Sequence, residues 1–241
     1  MHETAVQSAV TIPVDTPHAA PRFALLLRIT HWLNAIAFVS LVISGVGILL
    51  AHPRFYWGET GGVGTPSLFD LPLPFMLGGP SGWGRYMHFE AAWLFVLVGL
   101  LYGIWGVVSR HFGSELWPGR GFTWSALPRQ LVKNIRFEKP SPDEAHRYNS
   151  LQRVAYLAVV FLLAPLMIWT GLAMSPVITS VFPVLVEASG GFESARTIHF
   201  FAANLLVLFV LVHIAMVWRA GFVARTRAMI TGRAADSGRP S

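Results

Sequence analysis

Four histidines lie inside or at the edge of apolar stretches of this 241-residue chain: His31, His88, His199 and His213. Imidazole is poorly solvated by hydrocarbon, so each ring requires a partner there, and the chemistry open to it is proton relay or metal ligation. His199 and His213 share one apolar run, "RTIHFFAANLLVLFVLVHIAMVW", residues 196–218, with no charge after Arg196. The 14 residues between them span about 21 Å of helix and close to within about 40° of whole turns, so both rings fall on one face at two depths. His31 matches the depth of His213, and His88 that of His199. Two pairs follow, His31 with His213 and His88 with His199, each drawn from two different helices. Two stacked haems with bis-histidine ligation need this arrangement, in which both axial positions are closed and electron transfer is favoured over oxygen binding. A single interfacial histidine is ordinarily a polar residue satisfied at the headgroups. The matched depths and shared face favour ligation.

Three of the four carry an arginine three residues earlier: Arg28 in "RITH", Arg85 in "RYMH" and Arg196 in "RTIH". With 9 His and 18 Lys or Arg, chance supplies roughly 0.7 cation at that offset, and residues at i, i+3 are neighbours on one helix face. Each arginine is more superficial than its histidine, placed to pair with a haem propionate while reaching the headgroups. Gly45 and Gly99 lie in register with the histidines of the opposite layer, where a small residue leaves room for a haem ring or for a packed helix. Asn34 and Glu90, just inside the bilayer, are weaker candidates for proton or quinone contacts. His52 and His111 flank span ends, and His2, His18 and His146 fall in polar segments.

The elements that position these residues are four apolar spans of about 20 residues or more, the length a bilayer requires. They cover about 23–51, 86–108, 154–174 and 196–218. The composition agrees: 54% apolar, 12% charged, mean hydropathy +0.53. The fold class is an all-α membrane protein, a four-helix transmembrane bundle. Its domain occupies 23–219, between a polar tail at 1–22 and a disordered tail at 220–241. The first span lies behind that polar tail without a small-residue cleavage site, so it reads as retained rather than as a signal peptide. With both termini cytoplasmic, 15 of the 18 cations face inward and only Arg54, Arg85 and Arg196 face outward, a strong positive-inside bias. The net charge of +6 is thereby accounted for by topology, and nucleic acid is not expected as a partner. The absence of cysteine excludes disulfides, iron–sulfur clusters, thiolate zinc sites and covalent c-type haem. The inner connection, 109–150, contains a short surface helix in "WSALPRQLVKNIRFE", and the outer loop from His52 to Gly84 is rich in Gly, Pro and aromatics. No internal repeat is evident.

The segments "RITHWLNAIAFVSLVISG", "YNSLQRVAYLAVVFLLAPLMIWTGLAM" and "ARTIHFFAANLLVLFVLVH" resemble the bacterial di-haem cytochrome b family. That family includes the b-type subunits of nickel–iron hydrogenase and formate dehydrogenase and, more closely similar, of thiosulfate reductase. The likeness runs from about Arg22 to Arg219 and includes the outer "PRFYWGETGG". It implies a bundle holding two non-covalent b haems through His31, His88, His199 and His213. It also implies electron exchange between membrane quinone or quinol and a periplasmic redox enzyme, such as a molybdenum or nickel–iron enzyme, docked on the outer loops in the bacterial inner membrane. Two other functions compete: a stand-alone quinone-linked oxidoreductase acting on a small redox substrate, and a haem-free proton or metal transporter. The long outer loop favours a docking surface, and the lack of broken helices or repeat symmetry speaks against the transporter.

Overall fold

The computed structural model describes residues 24–62, 64–72, 82–113, 125–135 and 150–232. The first span is helix α1 (Leu25–Ala51). It is followed by an antiparallel pair of two-residue strands, β1 (Arg54–Phe55) and β2 (Phe69–Asp70), in which Arg54 faces Asp70 and Phe55 faces Phe69. Helix α2 (Gly82–Val108) is the second span, and α3 (Ala126–Ile135) is the short helix expected in the following connection. The third span is composite. Helix α4 (Ser150–Ala158) passes through a π-helical turn, Val159–Leu163, into α5 (Ala164–Ala173). Pro165 explains the wide turn, because it lacks an N–H and its ring crowds the carbonyl four residues back, at Phe161. Two short helices follow, α6 (Pro176–Thr179) and α7 (Val184–Ala188), and then the fourth span, α8 (Phe192–Arg219).

The spans pack as two hairpins, α1 along α2 and α5 along α8. The seam of the first hairpin is a heptad row of small residues, Thr30, Ala37 and Ser44 on α1 against Gly84, Ala91 and Val98 on α2, all buried. Small side chains let membrane helices approach closely where no hydrophobic drive separates them from lipid. Between the hairpins the spanning backbones make almost no close approach, which leaves a slot. Only 6–17% of the most apolar window of each span is buried, so the large side chains face outward, as a lipid solvent demands. One end of the bundle carries the start of α1 and the end of α8 (the terminal end), and the other carries the β1–β2 loop and α6–α7 (the loop end).

The segment 220–241, expected as a disordered tail, contains a helix. Residues Phe222–Thr231 make helix α9, which folds back onto α1 at the terminal end. Gly221 (φ 95°) and Gly232 (φ 78°) supply the left-handed turns at its two ends. Arg28 donates from Nη2 to the carbonyl of Ile230, and Trp32 donates from Nε1 to that of Met229 at 3.4 Å, so α1 caps the last turn of α9. Composition alone suggested disorder. The bracketing glycines, and the apolar pairs Phe222–Val223 and Met229–Ile230, were the missed signals.

The loop end is tied to the start of α8. The carbonyl of Gly58 accepts from the N–H groups of Glu193 and Ser194, at 3.0 and 3.3 Å, and its own N–H donates to Ser194 Oγ at 2.8 Å. Thr197 donates to the carbonyl of Tyr56 at 2.7 Å. Phe55, only 2% exposed, stacks on Phe69 at 4.7 Å and lies 4.5 Å from Phe200. Gly191 (φ 109°) makes the docking possible, since a Cβ there would fall 2.3 Å from the Gly58 backbone. Gly191→Ala adds both that overlap and a backbone strain of about 1–3 kcal/mol. A Tm lowered by several degrees in detergent is expected, whereas Gly62→Ala, whose methyl meets open space, leaves it unchanged. Equal Tm values for the two variants would contradict this account of the loop.

Candidate cofactor site

Each histidine comes from a different stretch of helix: His31 from the second turn of α1, His88 from the second turn of α2, and His199 and His213 from the two ends of α8. The rings of His31 and His213 lie with centroids 6.4 Å apart, and those of His88 and His199 6.3 Å apart. Both pairs therefore meet across the slot between the hairpins, one pair per layer. Two imidazoles bonded through nitrogen to opposite faces of one metal, at about 2 Å each, have ring centroids about 6 Å apart. Among the described residues no group of three or more His, Cys, Asp or Glu is placed to hold an ion. Each pair can supply only two ligands, so any metal between them takes its remaining ligands from elsewhere, as an iron in a porphyrin does. The residues present fit a haem with two axial histidines.

The loop-end pair is further organised. Ser44 Oγ lies 3.0 Å from His88 Nδ1, and Thr170 Oγ1 lies 2.8 Å from His199 Nδ1. Each hydroxyl sits within its own helix, near the carbonyl four residues back: Ser44 on Ser40 at 2.6 Å and Thr170 on Leu166 at 2.7 Å. A glycine follows each one. A Cβ on Gly45 would stand 3.6 Å from His88 Cε1, and one on Gly171 would stand 3.6 Å from His199 Cε1. The two hairpins thus share a hydroxyl–glycine dipeptide on the first helix facing a histidine on the second, a correspondence invisible at the level of sequence repeats. Gly45 faces the histidine ring itself, whereas a Cβ on Gly99 would meet nothing within 4 Å. Ser44, Thr170 and Gly171 were not singled out from sequence. The available signal was a hydroxyl residue followed by glycine within an apolar span.

The terminal-end pair is set in aromatics instead. Trp32 stands edge-on to His31 at 5.2 Å, Phe209 stacks beside His213 at 6.1 Å, and Tyr156 of α4 lies 6.4 Å from His213. His31 Nδ1 and Asn34 Oδ1 are buried with no hydrogen-bond partner among the described residues.

The three arginines diverge. Arg196 is committed to the loop: it pairs with Glu193 at 2.7 Å, donates to the carbonyls of His52 and Arg54, and lies 5.0 Å over the Phe55 ring. Arg28 caps α9. Arg85 is exposed and has no partner among the described residues. Glu90 and His52 are exposed. His111 packs with Trp105 and Tyr102 in an aromatic group at the terminal end of α2. His2, His18 and His146 lie outside the described residues.

Comparison with known proteins places this geometry among relatives. The profile of a family described as prokaryotic cytochrome b561 matches residues 22–232. A protein of Azospira oryzae, provisionally named protein-methionine-sulfoxide reductase subunit YedZ1, is 35% identical over 212 residues, covering 86% of this chain and 93% of that one. A provisionally named Ni/Fe-hydrogenase B-type cytochrome subunit of Cupriavidus necator is 26% identical, with 95% and 89% covered. The formate dehydrogenase cytochrome b556(fdo) subunit of Escherichia coli is 26% identical, with 88% and 83% covered.

The pairing is testable by haem analysis. His31→Ala and His213→Ala are each expected to lose the same one of two haems, and His88→Ala and His199→Ala the other, as read in redox-resolved difference spectra. Loss of different haems within a pair would refute the layering.

Proposed function

The chain belongs to the prokaryotic cytochrome b561 family, and on that premise we propose that it relays electrons between membrane quinone and a separate redox enzyme, using two b haems. It is a multi-pass bacterial membrane protein and a b-type electron-transfer cytochrome. The observation that carries the finer reading is the pair of histidine contacts at 6.3 and 6.4 Å, one per layer. His31 and His213 hold the haem at the terminal end, and His88 and His199 hold the haem at the loop end. When bound, the haems supply one-electron carriage between the layers. The helices keep the ligand rings in register and exclude water from the slot.

The terminal end faces the cytoplasm, supported by the crowding of Lys and Arg there. Quinone reacts at that end. Support comes from a cleft of about 280 Å³ between α1 and α9, lined by Leu25, Arg28, Ile29, Trp32, Leu33, Met229 and Ile230, within one turn of His31. Asn34 Oδ1, buried with no partner among the described residues, offers a hydrogen-bond acceptor nearby. The partner enzyme docks at the loop end, on the platform that Arg196, Ser194 and Thr197 fasten to α8. The identity with the Azospira reductase subunit favours electron flow from quinol outward to a reductase. The identities with the hydrogenase and formate dehydrogenase subunits favour the opposite direction.

We assign a haem propionate first to Arg85, which is free to reach one. Arg28 and Arg196 also stand one turn from a ligand, but each would have to share donors now held by backbone carbonyls. Removing a nearby positive charge disfavours the more electron-rich state, so Arg85→Gln is expected to lower the potential of the loop-end haem while both haems are retained. An unchanged redox titration would leave Arg85 as an interfacial anchor.

The fourth span tests the side of quinone reaction, because it supplies one ligand to each layer. His199→Ala should leave a haem that a quinol analogue still reduces in stopped-flow measurements. His213→Ala should leave one that quinol does not reduce. The reverse result moves the quinone site to the loop end.

A further inference from the structure

The hydroxyls of Ser44 and Thr170 are built into the helix seams in a way that fixes a proton on each loop-end histidine. A serine or threonine hydroxyl has one proton and two acceptor positions. Ser44 Oγ is 2.6 Å from the carbonyl of Ser40, and Thr170 Oγ1 is 2.7 Å from that of Leu166. A carbonyl can only accept, so the hydroxyl proton goes there. What each oxygen offers its histidine at 3.0 and 2.8 Å is a lone pair, and the imidazole nitrogen facing it must donate. Nδ1 therefore carries the hydrogen, and the lone pair is left on Nε2, the atom directed away from the helix seam.

We propose that Ser44 and Thr170 are paired positioning residues of the loop-end haem site, each locking its histidine in the Nδ1–H tautomer so that Nε2 is free to bind iron. The inference rests on the assignment of His88 and His199 as ligands. Three observations carry it. The same device occurs in both hairpins, from residues with no sequence relation beyond hydroxyl–glycine. Ser44 is 0% exposed and Thr170 1% exposed, so water does not compete for the imidazole N–H. Gly45 and Gly171 bring the ring edge to 3.6 Å from the position their Cβ would occupy, which holds Nδ1 against the hydroxyl. The terminal-end pair has no counterpart among the described residues, since His31 Nδ1 has no partner and His213 is held between the rings of Phe209 and Tyr156.

An acceptor on Nδ1–H raises the basicity of the ligating nitrogen, which stabilises the ferric state and lowers the potential. The device therefore acts on one haem of the two. The test uses full-length protein in detergent, with Ser44→Ala, Thr170→Val and the double variant, together with the conservative exchanges Ser44→Thr and Thr170→Ser. Both haems are expected to remain bound in every variant. In the double variant the loop-end haem, identified as the one lost in His88→Ala, should titrate at a higher potential and show shifted low-spin g values. The terminal-end haem should be unchanged. The conservative exchanges should restore the wild-type values. Loss of neither haem in His88→Ala would overturn the ligand assignment itself. With that loss established, a double variant whose loop-end potential and g values match wild type would overturn the role of the hydroxyls. A shift shared equally by both haems would overturn it too, by marking a general loosening of the bundle.

Discussion

An imidazole inside a bilayer must have its polar atoms engaged, because hydrocarbon offers them nothing, and the rest of this fold follows from that requirement. Four such rings are distributed over three spans, and none of the four stands alone. Each meets another ring across the slot at about 6 Å, a separation suited to one shared metal. The helices are consequently organised as two hairpins with tight internal seams and an open space between them. Thr30, Ala37 and Ser44 close the first seam at heptad spacing, and the small residues that make it tight also bring a hydroxyl within reach of His88.

The two layers satisfy the requirement differently. At the loop end the second ring nitrogen has a directional partner, Ser44 or Thr170. At the terminal end the rings are confined by Trp32, Tyr156 and Phe209, and no such hydroxyl partner is found among the described residues. A buried polar atom without a partner costs about 1–3 kcal/mol, so His31 Nδ1, which has none among the described residues, is less firmly fixed than its counterparts on His88 and His199. The third span contributes no histidine, yet it supplies Thr170, Gly171 and Tyr156 to the histidines of α8. Its π turn precedes Pro165 and lies between the two sites, so it sets the rotation of α5 relative to α4 and allows one span to serve both layers.

Span number, span limits and the depth matching of the histidines were legible in the sequence, because hydropathy and the 3.6-residue period act locally. The second span begins at Gly82 rather than near Tyr86, the third at Ser150 rather than near Val154 and the fourth at Phe192 rather than at Arg196, each a difference of about one helical turn. What could not be read depends on contacts distant in sequence. Ser44 and His88 are separated by 44 residues, Gly58 and Ser194 by 136, and Arg28 and Ile230 by 202. No periodicity joins such positions. The strand pair β1–β2 and helix α9 escaped notice for the same reason, since each is stabilised by the spans it packs against rather than by its own composition.

The three arginines one turn before a histidine show where a repeated spacing stops being informative. The i, i+3 offset puts each guanidinium at headgroup depth above its imidazole, and that much is common to Arg28, Arg85 and Arg196. A guanidinium has five N–H donors in a rigid fork, and at the membrane surface the nearest acceptors are whatever chain happens to return there. At Arg196 these are the carbonyls of His52 and Arg54 and the carboxylate of Glu193, so the residue fastens a loop. At Arg28 it is the last turn of α9. Arg85, in the first turn of α2, is exposed and has no acceptor among the described residues. The spacing therefore specifies a position, and the neighbouring backbone decides the use made of it.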